Sequence, residues 1–170
     1  TEARHARYHG WSDWRNSLLN ACTYFCSNHK LRVNLDEEIQ MMIDDLKEDN
    51  WSTNFEKEQL LLLQLKMMEQ FDSEEQVNEF IKKNIQFKEF REKAIVKQLQ
   101  QSEYEKAINL CLEGEKKDIK YPGTVQKWKG YRYKAYVGLG DKEMQKELGK
   151  SLLLQDDFNY LHILKELYSL

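Results

Sequence analysis

The sequence has little of the proline and glycine that β-proteins use in tight turns. One proline and seven glycines in 170 residues leave few positions for the turns that join short strands. No segment alternates apolar and polar residues at the period of two that a half-buried strand requires. These absences exclude an all-β fold and favour helices.

Cysteine, net charge and long apolar runs are also scarce. Three cysteines are an odd set, and without a visible signal peptide they favour reduced thiols and a cytoplasmic protein. The formal net charge of −3 gives the chain as a whole no preference for polyanions. The densest apolar run, Leu60–Leu63, is followed by Gln64 and Lys66, and it is far shorter than the ~20 residues that span a bilayer. We therefore expect no membrane span. Because the chain begins at Thr1, we expect it to be a fragment of a longer protein.

A helix–turn–helix pattern occurs twice in the second half, about forty residues apart. Its turns lie at Gln101-Ser102 and at Gly140-Asp141, each between two apolar-faced segments. One helical pair cannot bury its apolar face without a neighbour, so this repeat is typical of stacked pairs. We predict an all-α fold, a right-handed superhelix of stacked antiparallel helical pairs. It forms a single domain over residues 1–170, with divergent helices over 1–85 and the repeated pairs over 86–170.

Local signals predict where several helices begin. Asp36 is suited to cap a helix, after a connector over residues 32–35. Pro122 is suited to the first turn of a helix, where its missing N–H is not needed. Three polar pairs have the spacing of a capping box, in which each side chain bonds the other residue's backbone N–H: Thr53 with Glu56, Ser73 with Gln76, and Ser102 with Glu105. The apolar segment after Thr53 is predicted to lie in the middle of the stack.

The second half resembles a known family. Its elements are Tyr104-Glu105-Lys106-Ala107 and Leu139-Gly140-Asp141, within a stretch from Phe87 to Leu167. The stretch resembles the C-terminal helical region of bacterial proteins that carry a SWIM-type zinc finger upstream, and its repeats resemble tetratricopeptide-like repeats. The resemblance implies a tetratricopeptide-like scaffold attached to a zinc module that contacts DNA or protein. The Cys-x-Cys and Cys-x-His elements of that finger are absent from this chain, so no residue here inherits its zinc binding.

Another arrangement of residues could hold a metal. If Cys22, Cys26 and His29 shared a helix face, they could complete a tetrahedral zinc site together with His5 and His9. The alternative is that both cysteines lie on a buried stripe with Leu18 and Phe25, where a free thiol behaves as a small hydrophobe. We expect the second arrangement, and therefore no metal or other cofactor.

Few patterns indicate catalysis. The acidic run Asp44–Glu48 resembles the aspartate-rich magnesium motif of isoprenoid synthases, but the second acidic motif of those enzymes is absent. A solvated helix end explains the run without a metal. The sequence also lacks a glycine-rich phosphate loop, a His-Glu-x-x-His motif and a Gly-x-Ser-x-Gly elbow. We therefore predict that the chain is not an enzyme.

A basic and aromatic stretch runs from Lys116 to Tyr136. Seven Lys or Arg residues are opposed by one acid, Asp118, and five aromatic residues are interleaved with them. Cations can neutralise phosphates while aromatic rings stack on bases, but a solvated face over an aromatic core explains the same pattern. The predicted contact residues are Lys127, Trp128, Tyr131, Arg132, Tyr133, Lys134 and Tyr136.

Taken together, these patterns predict a non-catalytic protein-interaction module of a larger bacterial cytoplasmic protein. The expected partner is a protein or peptide, because aromatic residues and arginine are enriched at protein interfaces. The alternative is a nucleic-acid-binding accessory domain that supports an upstream zinc finger.

Overall fold

The computed structural model describes residues 12–48 and 50–169. Within these ranges the regular secondary structure is helical and contains no strand. The predicted all-α fold is therefore confirmed. The chain divides into two compact units, Thr1–Lys83 and Asn84–Leu170. Their boundary lies close to residue 85, after which the sequence predicts repeated helical pairs in place of divergent helices.

Unit 1 is organised around a long central helix. Its helices are α1 (Ser12–Cys22), a short 3-10 helix (Thr23–Phe25), α2 (His29–Asp45), α3 (Trp51–Phe71) and α4 (Glu74–Lys83). Helix α3 packs against α1, α2 and α4, which explains why it buries Leu60, Leu61, Leu63, Leu65 and Met67. The predicted central position of this apolar segment holds within unit 1.

Two helix starts in unit 1 differ from the prediction. Helix α2 is capped by Asn28, whose side chain accepts hydrogen bonds from the backbone N–H groups of Lys30 and Leu31 at 3.0 and 3.3 Å. The prediction that Asp36 caps this helix is wrong, because the earlier cap lets the helix run through residues 32–35. Leu35 then lies on the same buried stripe as Ile39.

Helix α3 also begins earlier than predicted. The side chain of Asn50 accepts a hydrogen bond from the backbone N–H of Thr53 at 3.0 Å, and the Thr53 hydroxyl accepts one from the N–H of Asn50 at 3.2 Å. The capping box is therefore Asn50 with Thr53, and the predicted pair of Thr53 with Glu56 is wrong. The predicted box of Ser73 with Gln76 is confirmed, with reciprocal bonds of 3.1 and 3.3 Å.

Unit 2 is a series of helices in which each packs against the next. The helices are α5 (Lys88–Gln100), α6 (Tyr104–Lys117), α7 (Pro122–Leu139), α8 (Lys142–Leu153) and α9 (Asn159–Ser169). Short connections make consecutive helices antiparallel neighbours. Helix α5 also contacts α7, as expected when one helical pair stacks on the next. Pro122 begins α7, as predicted.

The two predicted turns share one backbone motif. Ser102 and Gly140 adopt left-handed conformations with φ of 58° and 70°. In each turn the following residue donates its N–H to a carbonyl at the end of the preceding helix, at 2.8 and 3.1 Å. This is the Schellman arrangement, which satisfies carbonyls that the helix end leaves free. The predicted capping box of Ser102 with Glu105 is wrong, because Ser102 terminates α5 and does not cap α6.

Trp128 of α7 lies at the centre of the core of unit 2. Its side chain is fully buried among residues from three helices: Ile95, Ala107, Cys111 and Ala135. A buried indole N–H needs an acceptor, and Trp128 Nε1 donates to Asp118 Oδ2 at 2.7 Å. Gly114 of α6 permits this approach, since a Cβ atom at that position would lie 2.9 Å from Nε1.

We predict that Gly114→Ala lowers the free energy of unfolding by about 1–2 kcal/mol in urea denaturation. Overpacking a core costs about 1–3 kcal/mol; for a Cβ only 2.9 Å from Nε1 we take the upper part of that range, about 2–3 kcal/mol, against a gain of about 1 kcal/mol in helix propensity. The ring of Trp128 cannot move aside without losing its bond to Asp118. Gly123→Ala is the matched control, because a Cβ there meets no atom within 4 Å. Equal stabilities of the two variants would contradict the prediction.

Candidate functional site

Helix α7 carries the predicted contact residues, and three of them are buried. Trp128, Tyr133 and Tyr136 are 0%, 5% and 8% exposed. Trp128 packs into the core described above, while Tyr133 and Tyr136 pack against Leu148 and Leu152 of α8. The prediction that these three contact a partner is wrong, because α7 lies between neighbouring helices on two sides and both of those faces are aromatic.

Two of the four cations of α7, Lys127 and Arg132, are paired with carboxylates from other helices. Lys127 forms an ion pair with Glu92 of α5, and Tyr131 donates its hydroxyl to the same carboxylate at 2.5 Å. Arg132 donates from Nε and Nη2 to Glu115 of α6 at 2.7 and 3.0 Å. The excess of positive charge in the sequence stretch is therefore partly cancelled in the fold.

Lys134 is the remaining predicted contact residue. Its side chain is exposed, and its ammonium group lies 5.2 Å from the centre of the Tyr131 ring. This cation–π contact leaves the charge accessible to solvent. The predicted residues that reach solvent to some extent are thus Lys127, Tyr131, Arg132 and Lys134.

The neighbours of the Glu92 carboxylate shift its pKa. Partial burial pushes its pKa upward, but the hydrogen bonds from Lys127 and Tyr131 outweigh burial, so the pKa lies below its ordinary value. Burial, together with the bond to Glu92, raises the pKa of Tyr131 to about 12. Glu92 is thus the shared acceptor for the Lys127 ammonium and the Tyr131 hydroxyl.

We predict that Glu92→Gln reduces the acid sensitivity of the fold. A carboxylate with a lowered pKa stabilises the folded state above its ordinary pKa of about 4.3, and this contribution disappears as pH falls through the lowered value. The wild type should therefore lose more free energy of unfolding than the variant between about pH 5 and pH 3. Urea titrations across this range measure the difference. Glu147→Gln, at an exposed position of α8, should keep the wild-type slope, and the same slope in Glu92→Gln would contradict the prediction.

The predicted metal candidates do not come together. Helix α1 ends at Cys22, which is exposed, and His29 begins α2. Cys26 is buried, with Sγ 3.5 Å from Met67 Sδ, and burial raises the pKa of its thiol. The helix is interrupted after Cys22, so the helical spacing on which the site depended does not hold. Over residues 12–48 and 50–169, no three His, Cys, Asp or Glu side chains form a metal-binding group, the run Asp44–Glu48 included. His5 and His9 lie outside the described residues.

The predicted buried stripe of α1 is also shifted by one position. Leu19 is 3% exposed, whereas Leu18 and Phe25 are 44% and 66% exposed. The buried positions are Leu19, Thr23 and Cys26, and the predicted Leu18, Cys22 and Phe25 each lie one residue before them and are exposed.

Unit 1 contains a groove between α1 and α3 that the sequence analysis did not identify. We call it the α1–α3 groove. Its volume is about 460 Å³, which is within the range of small-ligand sites. It is lined by Asn16, Ser17 and Asn20 of α1 and by Phe55, Gln59, Leu62, Leu63 and Lys66 of α3.

One end of the groove is aromatic. Phe55 stacks on Trp51, with ring centres 5.7 Å apart and planes inclined by 12°. The two side chains are 49% and 71% exposed. They lie on one face of α3 because they are four residues apart. That spacing, at the start of a helix whose middle is buried, is the sequence signal that could have indicated this surface.

The other end of the groove is polar. Lys66 donates its ammonium to Asn20 Oδ1 at 2.7 Å and lies 4.8 Å from the centre of the Tyr24 ring. Neither partner carries a negative charge. Asn16 Oδ1 is enclosed and accepts no hydrogen bond from the part of the chain that the structure describes. The groove therefore combines an aromatic end, amide groups and a cation.

Comparison with known proteins gives no assignment: no protein-family model, curated protein or solved structure matches the chain. The resemblance to SWIM-type proteins stays a prediction. Every helix of the described residues is too short or too polar to cross a lipid bilayer. The fold and the site thus define the class: an all-α protein with helical pairs in unit 2 and an amide-lined groove in unit 1.

Proposed function

We propose that this chain is a non-catalytic interaction module that binds another protein, within a larger bacterial cytoplasmic protein. The observation that carries the proposal is the exposed Trp51–Phe55 stack beside the α1–α3 groove. Large aromatic side chains dominate the binding energy of protein interfaces, and exposing two of them in contact leaves apolar area that a partner can cover. The groove, and not α7, is the proposed contact site.

We expect the aromatic stack to control peptide binding. A phage-displayed library of random twelve-residue peptides is selected on the immobilised full chain, on a Trp51→Ala/Phe55→Ala variant and on a control. Truncating an anchor of this kind costs about 2 kcal/mol or more, so the double variant should bind the selected peptides at least about tenfold more weakly.

The control is Leu154→Ala/Phe158→Ala, which removes two exposed apolar side chains from unit 2. It should retain wild-type binding, and thermal unfolding should show that all three proteins fold. If the aromatic double variant selects and binds the same peptides as the wild type, the contact lies elsewhere. A wild-type chain that enriches no peptide family would count against the function itself.

Nucleic-acid binding is the second candidate function, and the α6–α7 turn favours it. Lys116, Lys120 and Tyr121 are exposed there, and these side chains could contact phosphate and base. The pairing of Lys127 with Glu92 and of Arg132 with Glu115 leaves fewer cations for phosphates, which is why we place this function second.

We predict weak and nearly salt-independent binding of labelled single-stranded and duplex oligonucleotides in fluorescence anisotropy. Because carboxylates hold Lys127 and Arg132, we expect few cations to reach phosphates, and affinity should change by about tenfold or less between 50 and 200 mM salt, whereas six or more phosphate contacts would change it by about a thousandfold. A steep salt dependence that Lys116→Glu/Lys120→Glu abolishes would reverse the order of the two functions.

A further inference from the structure

The length of the α1–α3 groove follows from the α3 residues that line its floor. Phe55, Gln59, Leu62 and Lys66 line it from successive turns of α3. With a rise of 1.5 Å per residue, the backbone positions of Phe55 and Lys66 are about 16 Å apart. An extended peptide advances about 3.3 Å per residue, so about five residues of an extended chain match the distance from the aromatic end to the cation.

The lining of the groove has the chemistry of a backbone-binding surface. Asn16, Asn20 and Gln59 contribute amides, each with two N–H donors and an oxygen that can accept, although the oxygen of Asn20 already accepts one bond from Lys66. A peptide backbone presents one N–H and one C=O at each residue, which amides can pair in both directions. Asn16 Oδ1 has no donor among the described residues, and turning this amide toward the groove lets it accept an N–H from a bound chain.

The cation at the polar end has no counter-charge in the part of the chain that the structure describes. The contacts of Lys66 are the Asn20 amide oxygen and the Tyr24 ring, and no carboxylate lies within ion-pair distance of its ammonium there. Hydrogen bonds between an ammonium and a carboxylate are stronger than those between neutral groups. The groove thus favours a negative group at this end and an apolar group at the other.

We propose that the α1–α3 groove binds an extended acidic peptide segment, with an apolar anchor against Phe55 and a carboxylate on Lys66 about five residues further along. This inference rests on the proposed function and names its partner: a segment of another protein with an apolar residue and an Asp or Glu at that separation. Asn16, Asn20 and Gln59 hold the backbone between the two anchors.

The test uses two labelled probe peptides that differ in one group. Fluorescein-Gly-Gly-Trp-Ser-Thr-Ser-Ser-Glu-Gly-amide carries the carboxylate, and its partner has Gln in place of Glu. Anisotropy at low salt is measured with the full chain. We expect the Glu peptide to bind about five- to tenfold more tightly, which is the effect of one charge-assisted hydrogen bond at a partly exposed site.

Three variants test whether the charge of Lys66 causes the preference for the Glu peptide. Lys66→Gln should bind the two peptides within about twofold of each other, while Lys66→Arg should restore the preference because it restores the charge. Phe55→Ala should weaken both peptides by a similar factor and leave the preference intact. Lys150→Gln is the matched control, since Lys150 also lies over a tyrosine ring, at 5.0 Å from the ring centre of Tyr168 in unit 2, and it should change neither affinity.

Several outcomes would overturn the inference: equal binding of the two peptides, a preference that persists in Lys66→Gln, or no binding of either peptide. These outcomes leave the proposed function standing if the peptide library still depends on Trp51 and Phe55. Failure of that library selection, in contrast, contradicts the function and not merely the identity of its ligand.

Discussion

The burial of Trp128 is the constraint on which the packing of unit 2 depends. An indole of this size, fully buried, must be surrounded by apolar side chains and must also give its N–H to an acceptor. Helices α5, α6 and α7 supply the surroundings, and Asp118 at the end of α6 supplies the acceptor. Gly114 brings α6 close enough for both. The position of α6 relative to α7 therefore follows from the packing and the hydrogen bond of Trp128. The same position brings Glu115 within reach of Arg132.

That packing changes what the surface of α7 can do. In the sequence, Lys127 and Arg132 belong to a basic stretch, but the stacked helices bring Glu92 and Glu115 against them. Paired charges at partly buried positions hold their side chains in place and offer little to a phosphate. The packing of unit 2 therefore neutralises two of the seven cations in the basic stretch, which weakens the case for a polyanion as its ligand.

In unit 1, by contrast, packing leaves two large aromatic side chains exposed. Its central helix is buried on most sides, yet the first turns of that helix leave Trp51 and Phe55 exposed, and the groove beside them contains a cation without a described counter-charge. Neither Trp51 nor Phe55 belongs to the buried apolar set of α3, so both side chains are open to a partner. Their common position along one groove is what makes recognition of a peptide segment the best-supported function.

The sequence by itself determined the all-α class, the repeated helical pairs of unit 2, the start of α7 at Pro122 and the central role of α3, because each depends on local chemistry or periodicity. It did not determine the cap at Asn28 in place of Asp36, because several polar residues suit a cap and the tertiary contacts of α2 select among them. It also could not show that Trp128 is inside while Phe55 is outside, since both lie in apolar helices. The tertiary structure decided burial, the pairing of Lys127 with a glutamate 35 residues away and the existence of the groove. These features depend on which helices become neighbours, and the distances between residues far apart in the chain exist only once those helices have packed.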